Sequence, residues 1–581
     1  MVPSRQPYIV KYGGARVRKA VSQTAKPYGL TAVERGDLET RAYSHALVVC
    51  KYCIIVAIGS TTMERFPTIV NTSQPESANV LPRHWPVFGT QGDNIEIIQL
   101  PTEFHQVLLD MIRGARRFVT LVSLDLGSEQ TDIVEALHAS LREKPELNVH
   151  VLLDSLYKPQ ALGMLAKLKQ EFDGRCRLSF FESPTAARKV IIKRILTTRV
   201  DEVLGVQHMK CYLFDNDVII GGANLNTAYL TNRQDRYIRF KNNTALTQFY
   251  YDLTNTLGDV SHHPVAADDP NGSSYLSPDQ KKESIFKKAK LKLDTKKTFK
   301  KVSKALQDFV HRWQHKVSIN EGDDTVLVPT MQLGFINLRQ DEALFEELLG
   351  TTCVPNTISS NVGITGEEAN VANGNRIVDD EGGGDGKQDN TKDDVNKWRV
   401  VLSSPYFNFP PHYRYLLLRS NELAGTKFKI MTAAPKCTEL GKEEGLAKHV
   451  PSAYTYLEYR FLHPYNIIKK NKKQKDFVLE EYGREGWTFH GKGIWLYAPG
   501  DPLPCATTVG SSNFNKRSLK RDFEASLCIL TNNRSLQQRI HDNLEFMRQS
   551  ATPVDEEILQ SKERKANFII RSAAFLAKDM L

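Results

Sequence analysis

The chain is poor in cysteine and lacks a long uninterrupted apolar run. Eight cysteines among 581 residues exclude the disulfide scaffold on which small secreted domains depend. No stretch reaches the roughly 18–20 apolar residues that a membrane-spanning helix needs. The best candidate, residues 46–59, is interrupted by Lys51 and starts too far from the N-terminus for a signal peptide. We therefore expect a reduced, intracellular protein without a spanning helix.

Acidic residues are absent from the first 33 positions. The same segment holds six basic residues, namely Arg5, Lys11, Arg16, Arg18, Lys19 and Lys26. This composition is typical of an organelle-targeting presequence, and a basic tail without structure is the alternative. We expect residues 1–90 to form a targeting presequence and an N-terminal extension.

The remaining composition is that of a globular protein. Hydrophobic residues make up 41% and charged residues 25% of the chain, which excludes collagen-like and wholly disordered proteins. The chain is also too long for one ordinary hydrophobic core, so two or more domains are expected. The net charge of +10 favours phosphate-rich partners, whether nucleic acid, nucleotides or anionic lipid surfaces.

Strand-like and helix-like patterns alternate in two parts of the chain. An apolar run at 95–100 precedes an amphipathic helix, and further strand patterns at 118–126 and 149–154 flank a second helix. The same order begins again at Trp398. Such alternation predicts an α/β fold with a covered sheet, present twice.

Two segments between these parts differ in composition. Residues 281–304 hold eleven lysines and predict a basic amphipathic helix, which either contacts anionic lipid or is a solvated helix of an insertion. Residues 363–397 are too polar and too rich in glycine to bury a core. The expected units are a targeting and N-terminal segment (1–90), a first α/β domain (91–260), a basic insertion and connecting segment (261–362), a disordered linker (363–397), a second α/β domain (398–550) and a C-terminal helix (551–581).

One pattern of chemically active residues occurs twice. The copies are His208, Lys210, Asn224 and Asp235, and then His490, Lys492, Asn513 and Glu524. In both copies the carboxylate follows the asparagine by eleven residues, whereas the spacing from histidine to asparagine is sixteen and twenty-three. The longer spacing predicts an added loop at 498–507. A single His-x-Lys arises often by chance, but two copies with equal spacing make coincidence improbable.

This pattern suits phosphoryl transfer. Residues two apart in a strand point to one face, so each histidine can line a cavity with its lysine. Imidazole is a nucleophile and a proton shuttle near neutral pH, while lysine and asparagine donate to the oxygens of a phosphoryl group. Because the charge around the histidines is positive, we expect the reaction to need no metal and no other cofactor.

The two copies resemble the signature of the phospholipase D superfamily, HxK…D…GSxN, which occurs twice per active site. The similarity extends over roughly residues 95–550. The flanking sequences QHMKCYLFDNDVIIGGANLN and FHGKGIWLY are similar to those of the members that transfer phosphatidyl groups in mitochondria. The resemblance implies two phospholipase D-like α/β/α domains that form one active site at their interface.

The resemblance also implies an activity and a location. The substrates would be CDP-diacylglycerol and glycerol 3-phosphate, and the products phosphatidylglycerophosphate and CMP, formed through a phosphatidyl-histidine. Such an enzyme serves phosphatidylglycerol and cardiolipin biosynthesis. It would lie peripherally on the matrix side of the mitochondrial inner membrane, in contact with anionic lipid and not with nucleic acid.

Residue roles follow from the same resemblance. His208 would be the nucleophile and His490 the acid and later the base, although the internal symmetry leaves that order open. Each of the carboxylates Asp235 and Glu524 would accept a hydrogen bond from the histidine of the opposite half. The remaining expected site residues are Lys210, Asp215 and Lys492 as catalytic groups, with Asn224, Ser511 and Asn513 as phosphate-binding or supporting groups.

The sequence departs from the signature at two positions. Gly222 replaces the first serine, and Tyr497 stands where the second copy would have a counterpart of Asp215. Because the tyrosyl-DNA phosphodiesterase branch has the same gap, a nucleic-acid phosphodiesterase is the alternative function. A catalytically dead scaffold is a third reading, which the presence of both histidines, both lysines and both asparagines disfavours.

Overall fold

The computed structural model describes residues 85–155, 162–184, 205–263, 287–353, 396–439, 449–468 and 476–577. Residues 1–84 of the predicted N-terminal segment and nearly all of the 363–397 linker lie outside these ranges, whereas the end of that N-terminal segment forms a strand, Val87–Thr90. Among the described residues, no helix combines the length and the apolar character needed to cross a membrane.

The described residues form strands and helices that alternate along both parts of the chain. The strands are β1 (Val87–Thr90), β2 (Ile95–Ile98), β3 (Phe118–Val122), β4 (Asn148–Asp154), β5 (Cys176–Phe181), β6 (Cys211–Phe214), β7 (Asp217–Gly221), β8 (Arg233–Gln234), β9 (Tyr237–Phe240), β10 (Val317–Ser318), β11 (Thr325–Leu333), β12 (Leu338–Arg339), β13 (Arg399–Ser403), β14 (Lys427–Ala433), β15 (Phe477–Tyr482), β16 (Thr488–Phe489), β17 (Gly493–Tyr497), β18 (Ala506–Gly510), β19 (Glu524–Thr531) and β20 (Ala551–Val554). The helices are α1 (Pro101–Gly114), α2 (Thr131–Glu143), α3 (Leu162–Glu171), α4 (Thr227–Thr231), α5 (Thr244–Asp259), α6 (Lys287–Trp313), α7 (Gln340–Thr351), α8 (Pro411–Ala424), α9 (Val450–Ile468), α10 (Lys516–Lys520), α11 (Arg534–Arg548), α12 (Glu556–Leu559) and α13 (Phe568–Ala577).

Two large sheets share one strand order. The first sheet runs β2-β9-β7-β6-β3-β4-β5, and the second contains β11-β19-β18-β17-β13-β14-β15. In both sheets the last three strands are parallel and the others antiparallel. The predicted duplication of an α/β plan is therefore confirmed.

Helices cover both faces of each sheet. The outer face of the first sheet packs against α1 and α2, with Phe104 and Leu137 fully buried. The outer face of the second sheet packs against α7, α8 and α9, with Tyr413 and Phe461 buried. A third core lies between the sheets and includes side chains of α5, α6 and α11. Strands such as β3 and β4 are continuous apolar runs because both of their faces are covered.

The second sheet begins earlier in the chain than the predicted boundary at residue 398. β11, which lies in the predicted connecting segment, pairs along its length with β19, from Thr325 opposite Thr531 to Gln332 opposite Glu524. β20, which lies in the predicted C-terminal helix, pairs with β15. Pairing between strands joins segments that are distant in sequence, so a change in local composition does not mark the limits of a sheet.

The lysine-rich segment continues into a packed helix. α6 extends past the predicted end at residue 304 to Trp313, and its Val302, Leu306 and Phe309 are fully buried. The ring of Phe309 lies 5.2 Å from that of Phe249 on α5. The C-terminal part of α6 is thus a core helix, while contact with lipid stays a prediction.

Candidate active site

The two histidines pair with carboxylates across the two halves of the chain. His208 Nδ1 lies 2.9 Å from Glu524 Oε2, and His490 Nδ1 lies 2.6 Å from Asp235 Oδ2. All four side chains are buried. This crossed arrangement confirms the predicted pairing, and it means that neither half contains a complete site.

Backbone contacts between the halves hold each histidine in place. The His208 N–H donates to the carbonyl of Phe523 at 2.8 Å, and the His490 N–H donates to the carbonyl of Gln234 at 2.8 Å. In addition, β8 and β16 form a two-stranded sheet between the halves. Each histidine therefore lies directly beside the chain segment that supplies its carboxylate.

Both signature lysines are buried beside their histidines. Lys210 Nζ donates to the His208 carbonyl at 2.7 Å, and Lys492 Nζ donates to the His490 carbonyl at 2.8 Å. Burial lowers the pKa of Lys210 to about 7 and that of Lys492 to about 8. Since burial penalises an isolated ammonium, a bound phosphate would favour the charged form of both lysines.

The histidines are held as neutral imidazoles. Burial lowers the pKa of His208, and burial with the adjacent ammonium of Lys492 lowers that of His490 further. Although burial opposes it, the contact with His208 lowers the pKa of Glu524 to about 2, whereas burial raises the pKa of Asp235. A carboxylate at Nδ1 favours the proton on that nitrogen and the lone pair on Nε2. At His490 the Lys492 ammonium also lies 2.7 Å from Nδ1.

The two Nε2 atoms differ in their surroundings. The hydroxyl of Tyr229 lies 3.1 Å from His490 Nε2, while His208 Nε2 has no partner among the residues that the structure describes. The His208 side chain is 10% exposed and that of His490 is 4% exposed. The structure thus distinguishes two histidines that the repeated motif makes equivalent.

Tyr229 is a site residue that the sequence did not indicate. It lies on α4, five residues after Asn224, and the guanidinium of Arg233 lies 4.4 Å from its ring centre. The corresponding position of the second copy is Ser518, whose hydroxyl accepts from the Asn513 N–H at 3.2 Å. Because the tyrosine is not repeated, a search for paired motifs cannot find it.

The asparagines and the serine complete the predicted phosphate-binding set. The Oδ1 atoms of Asn224 and Asn513 are buried without a hydrogen-bond partner, and turning either amide presents its NH₂ group instead. The Ser511 hydroxyl donates to Glu524. At Gly222 a Cβ would lie 2.4 Å from Asp235 Oδ1, which explains why glycine replaces the serine of the signature.

Asp215 does not belong to the cluster, and its predicted catalytic role is wrong. It lies in the turn between β6 and β7 with a φ of 53°, at the opposite end of β6 from His208. Its carboxylate accepts from the backbone N–H groups of Arg116, Arg117 and Phe118 at 2.8–3.0 Å. Asp215 therefore stabilises a turn, because aspartate tolerates this backbone conformation and binds nearby N–H groups.

The counterpart of Asp215 in the second copy also has a structural role. Tyr497 ends β17, and its hydroxyl lies 3.0 Å from His541 Nδ1 on α11. The Arg399 guanidinium lies 4.5 Å from the centre of its ring. The difference between aspartate and tyrosine at these positions consequently leaves the chemistry of the site unchanged.

Two groups of described side chains have metal-ligand geometry; Glu342, Glu346 and His412 lie on α7 and α8, and the other group lies in the site. Ligand atoms of His208, Asp522 and Glu524 lie within 4.8 Å of one another. Hydrogen bonds already occupy this set, since Asp522 accepts from the Val206 N–H at 3.0 Å and pairs with Arg517 at 2.9 Å. Glu524 binds His208 as described above, so the cluster is explained as a hydrogen-bond network.

Arg236 is a second residue that the sequence did not indicate. It follows Asp235 in the first half, and its fully buried guanidinium lies 4.1 Å from the Trp495 ring centre. It donates to the carbonyl of Lys492 at 3.1 Å. At Gly493 a Cβ would lie 2.1 Å from Arg236 Nη1, so the second His-x-Lys segment needs glycine there to accommodate the arginine.

Comparison with known proteins agrees with this geometry. No family model matches the chain. A Gallus gallus protein named mitochondrial CDP-diacylglycerol–glycerol-3-phosphate 3-phosphatidyltransferase is 29% identical over 527 residues, which cover 85% of each chain. A Dictyostelium discoideum protein named as a probable enzyme of the same kind is 27% identical over 84% of this chain and 78% of its own.

Among solved structures, the fold is similar to that of a phosphatidylserine synthase from Haemophilus influenzae Rd KW20. The two share 17% sequence identity with a TM-score of 0.61, over 86% of this chain and 98% of the other. The likeness shows a common fold. The chain is thus similar over most of its length to proteins named CDP-diacylglycerol–glycerol-3-phosphate 3-phosphatidyltransferase, and it has two crossed histidine–carboxylate pairs.

Proposed function

We propose that the chain transfers a phosphatidyl group from CDP-diacylglycerol to glycerol 3-phosphate, giving phosphatidylglycerophosphate and CMP. The observation that carries the proposal is the single buried site, in which each half supplies a histidine, a lysine, an asparagine and the carboxylate for the other half. Relatives named for this reaction match most of the chain.

The reaction proceeds in two displacements. In the first, His208 Nε2 attacks the phosphorus that carries diacylglycerol, the bond to the CMP oxygen breaks, and His490 gives a proton to CMP. In the second, His490 takes the proton from a hydroxyl of glycerol 3-phosphate, whose oxygen attacks the same phosphorus, and the bond to His208 breaks. The lysines and asparagines stabilise the charge on the phosphoryl oxygens in both transition states.

Two features support this order of the histidines. The more exposed side chain of His208, whose Nε2 has no partner among the described residues, suits a nucleophile, while the Nε2 of His490 already takes part in a hydrogen bond. The raised pKa of Asp235 also lets the Asp235–His490 pair hold a proton more readily than Glu524 and His208. A bound pyrophosphate adds negative charge, which raises the pKa of His490 toward the range of a proton donor.

The tyrosyl-DNA phosphodiesterase alternative rests on the absence of an aspartate at position 497. That absence carries no weight for function, because Asp215 is a turn residue away from the site. Release of tyrosine from a 3′-tyrosyl oligonucleotide would support this alternative.

The test is a parallel assay of two substrates. The purified full chain is incubated with CDP-diacylglycerol and glycerol 3-phosphate, and separately with a 3′-tyrosyl oligonucleotide. We expect release of CMP with formation of phosphatidylglycerophosphate, and no release of tyrosine. Cleavage of the oligonucleotide without lipid product would support the nucleic-acid phosphodiesterase hypothesis instead. If neither activity is detected, the hypothesis of a catalytically dead scaffold is favoured.

We further propose that the protein works on the matrix side of the mitochondrial inner membrane, bound peripherally, in the path to cardiolipin. The mitochondrial names of the relatives and the acid-free basic segment 1–33 support this location. A fluorescent fusion lacking residues 1–33 should stay in the cytosol. High salt or carbonate should release the wild-type protein from membranes, and resistance to both would indicate an integral anchor.

A further inference from the structure

A small cavity lies beside the catalytic cluster, between α8, α9 and the loop that follows β13. Its volume is about 70 Å³, which is room for a group of several non-hydrogen atoms because one water needs about 10–15 Å³. No aspartate or glutamate is among the described residues that line it. Its walls are three cations, one amide and an apolar floor: Arg414, Arg460, Lys516, Asn408, Phe407, Phe409, Pro411, Leu457 and Phe461.

The cations of this cavity repel one another. The Nε atom of Arg414 is buried and has no hydrogen-bond partner. Burial, and then the nearby guanidinium of Arg460, lower the pKa of Arg414. A buried donor without a partner is unfavourable, and an anion in the cavity could accept from the Arg414 Nε–H. The cavity therefore has the charge and the unpaired donor of an anion site.

The cavity shares its walls with segments that carry the active site. The Ser404 hydroxyl donates to the Asn513 carbonyl at 2.7 Å, and Lys516 follows Asn513 by three residues. The ring of Tyr406, next to Phe407 in the chain, lies 5.9 Å from that of His490. The cavity is thus lined by residues that follow closely, in both segments, on residues of the active site.

We propose that Arg414, Arg460 and Lys516 form a subsite for a phosphomonoester, which is the phosphate of the acceptor. This identity of the ester rests on the proposed function. A phosphomonoester carries nearly two negative charges at pH 7, and the guanidinium fork matches its oxygens. The apolar floor excludes water and strengthens the attraction. The subsite would then select glycerol 3-phosphate over an unphosphorylated polyol.

The first test compares Arg414→Gln and Arg460→Gln with the wild-type full chain. Because each variant removes a charge-assisted contact, we expect the KM for glycerol 3-phosphate to rise about tenfold or more, with the KM for CDP-diacylglycerol within about twofold. Transfer to plain glycerol, which has no phosphate, should be equal in variant and wild type. Arg419→Gln, on the same helix and outside the cavity, is the matched control and should change neither constant.

Two results would overturn the proposal. One is an unchanged KM for glycerol 3-phosphate in both variants. The other is a raised KM for CDP-diacylglycerol, or weaker binding to phosphatidylglycerol vesicles, with no rise in the KM for glycerol 3-phosphate. That result would assign the cavity to a lipid headgroup. Where Arg414→Gln fails to fold, Lys516→Gln gives the same comparison at a half-buried position.

A binding measurement separates this proposal from the proposed function. Calorimetric titration of the full chain with inorganic phosphate should show binding that Arg414→Gln weakens about tenfold. If the chain has no transferase activity but this loss is observed, the subsite stands and the proposed function fails. Equal phosphate binding in the wild type and the variant overturns the subsite.

Discussion

Tyr229 distinguishes the two histidines at the scale of single residues. Its hydroxyl lies at His490 Nε2, and a donor at that lone pair favours the neutral imidazole. When His490 takes up a proton on Nε2, the same hydroxyl can accept from it. Tyr229 can therefore hydrogen-bond to His490 in both of its protonation states. No described residue contacts the Nε2 of His208 in this way, which suits its proposed attack on phosphorus.

Replacing Tyr229 by phenylalanine should therefore raise the pKa of His490. The ring and its contact with Arg233 remain, so the fold should be unaffected. We expect kcat to fall by about 10- to 100-fold. The acid limb of the kcat/KM profile for glycerol 3-phosphate, the step in which His490 must be deprotonated, should move to higher pH. Steady-state rates between pH 5 and 9 measure both. Tyr497→Phe, which removes a hydroxyl far from the site, should leave the profile unchanged, and an unshifted acid limb in Tyr229→Phe would contradict this role.

The buried lysines predict the basic limb of a second profile, that of kcat/KM for CDP-diacylglycerol. Binding of phosphate needs the ammonium forms, and the pKa values of Lys210 and Lys492 are lowered to about 7 and about 8. The kcat/KM for CDP-diacylglycerol should consequently fall as pH rises through this range, since the free enzyme loses the positive charges there.

The Lys492→Arg variant tests this assignment, because arginine stays protonated throughout. We expect its basic limb to move toward higher pH, even though the larger side chain lowers the rate at the optimum. Lys429→Arg, on β14 and outside the site, is the matched control. A basic limb that stays in place in both Lys492→Arg and Lys210→Arg would exclude the lysines as its origin.

At the scale of secondary-structure elements, the site depends on how strand ends are joined across the halves. Arg236 leads into β9 in the first half and donates to the Lys492 carbonyl just before β17 in the second. It also donates to Asn543 on α11 at 3.2 Å. Burial lowers the pKa of Arg236, and the neighbouring Asp235 carboxylate opposes that shift.

The Arg236→Met variant should lose stability rather than chemistry. It leaves several buried acceptors unpaired, which costs about 3 kcal/mol and lowers the thermal midpoint by about 3 °C in a chain of this size. Differential scanning calorimetry measures the shift. Arg399→Met, which removes an exposed guanidinium that stacks on Tyr497, should change the midpoint by less than about 1 °C. Equal midpoints in the two variants would show that Arg236 does not join the halves.

How far the sequence predicts these elements depends on the range of the interactions. Strands such as β3, β4 and β14 and the helices α1, α2 and α11 follow from local periodicity. β11 does not, because its sheet position is set by pairing with β19, and Pro329 interrupts its strand pattern. The crossed carboxylates were predictable because their spacing is repeated. Tyr229 and Arg236 are not repeated, so the repeated pattern does not predict them. Asp215 matches the signature, but it stabilises a turn and does not line the site.

At the scale of the whole molecule, the two sheets differ in the residues that they contribute to the one active site. The strand order is the same in both, but one copy carries Gly222 and Asp235 where the other carries Ser511 and Glu524. The shorter carboxylate fits against glycine, and the longer one accepts from the serine. Because glycine accompanies aspartate and serine accompanies glutamate, both histidines stay oriented by a carboxylate. Their surroundings nevertheless differ, which suits the two different roles proposed for them.

The central claim is that the phosphatidyl group passes through His208, and trapping that intermediate tests it most directly. The full chain is mixed with CDP-diacylglycerol without glycerol 3-phosphate, quenched without acid to preserve the phosphorus–nitrogen bond, digested and analysed by mass spectrometry. We expect a phosphatidyl adduct on the peptide that contains His208, no adduct in His208→Ala, and turnover lower by about 10³-fold or more in both His208→Ala and His490→Ala, each folded by circular dichroism. An adduct on His490, or full turnover by a folded His208→Ala variant, would contradict the account.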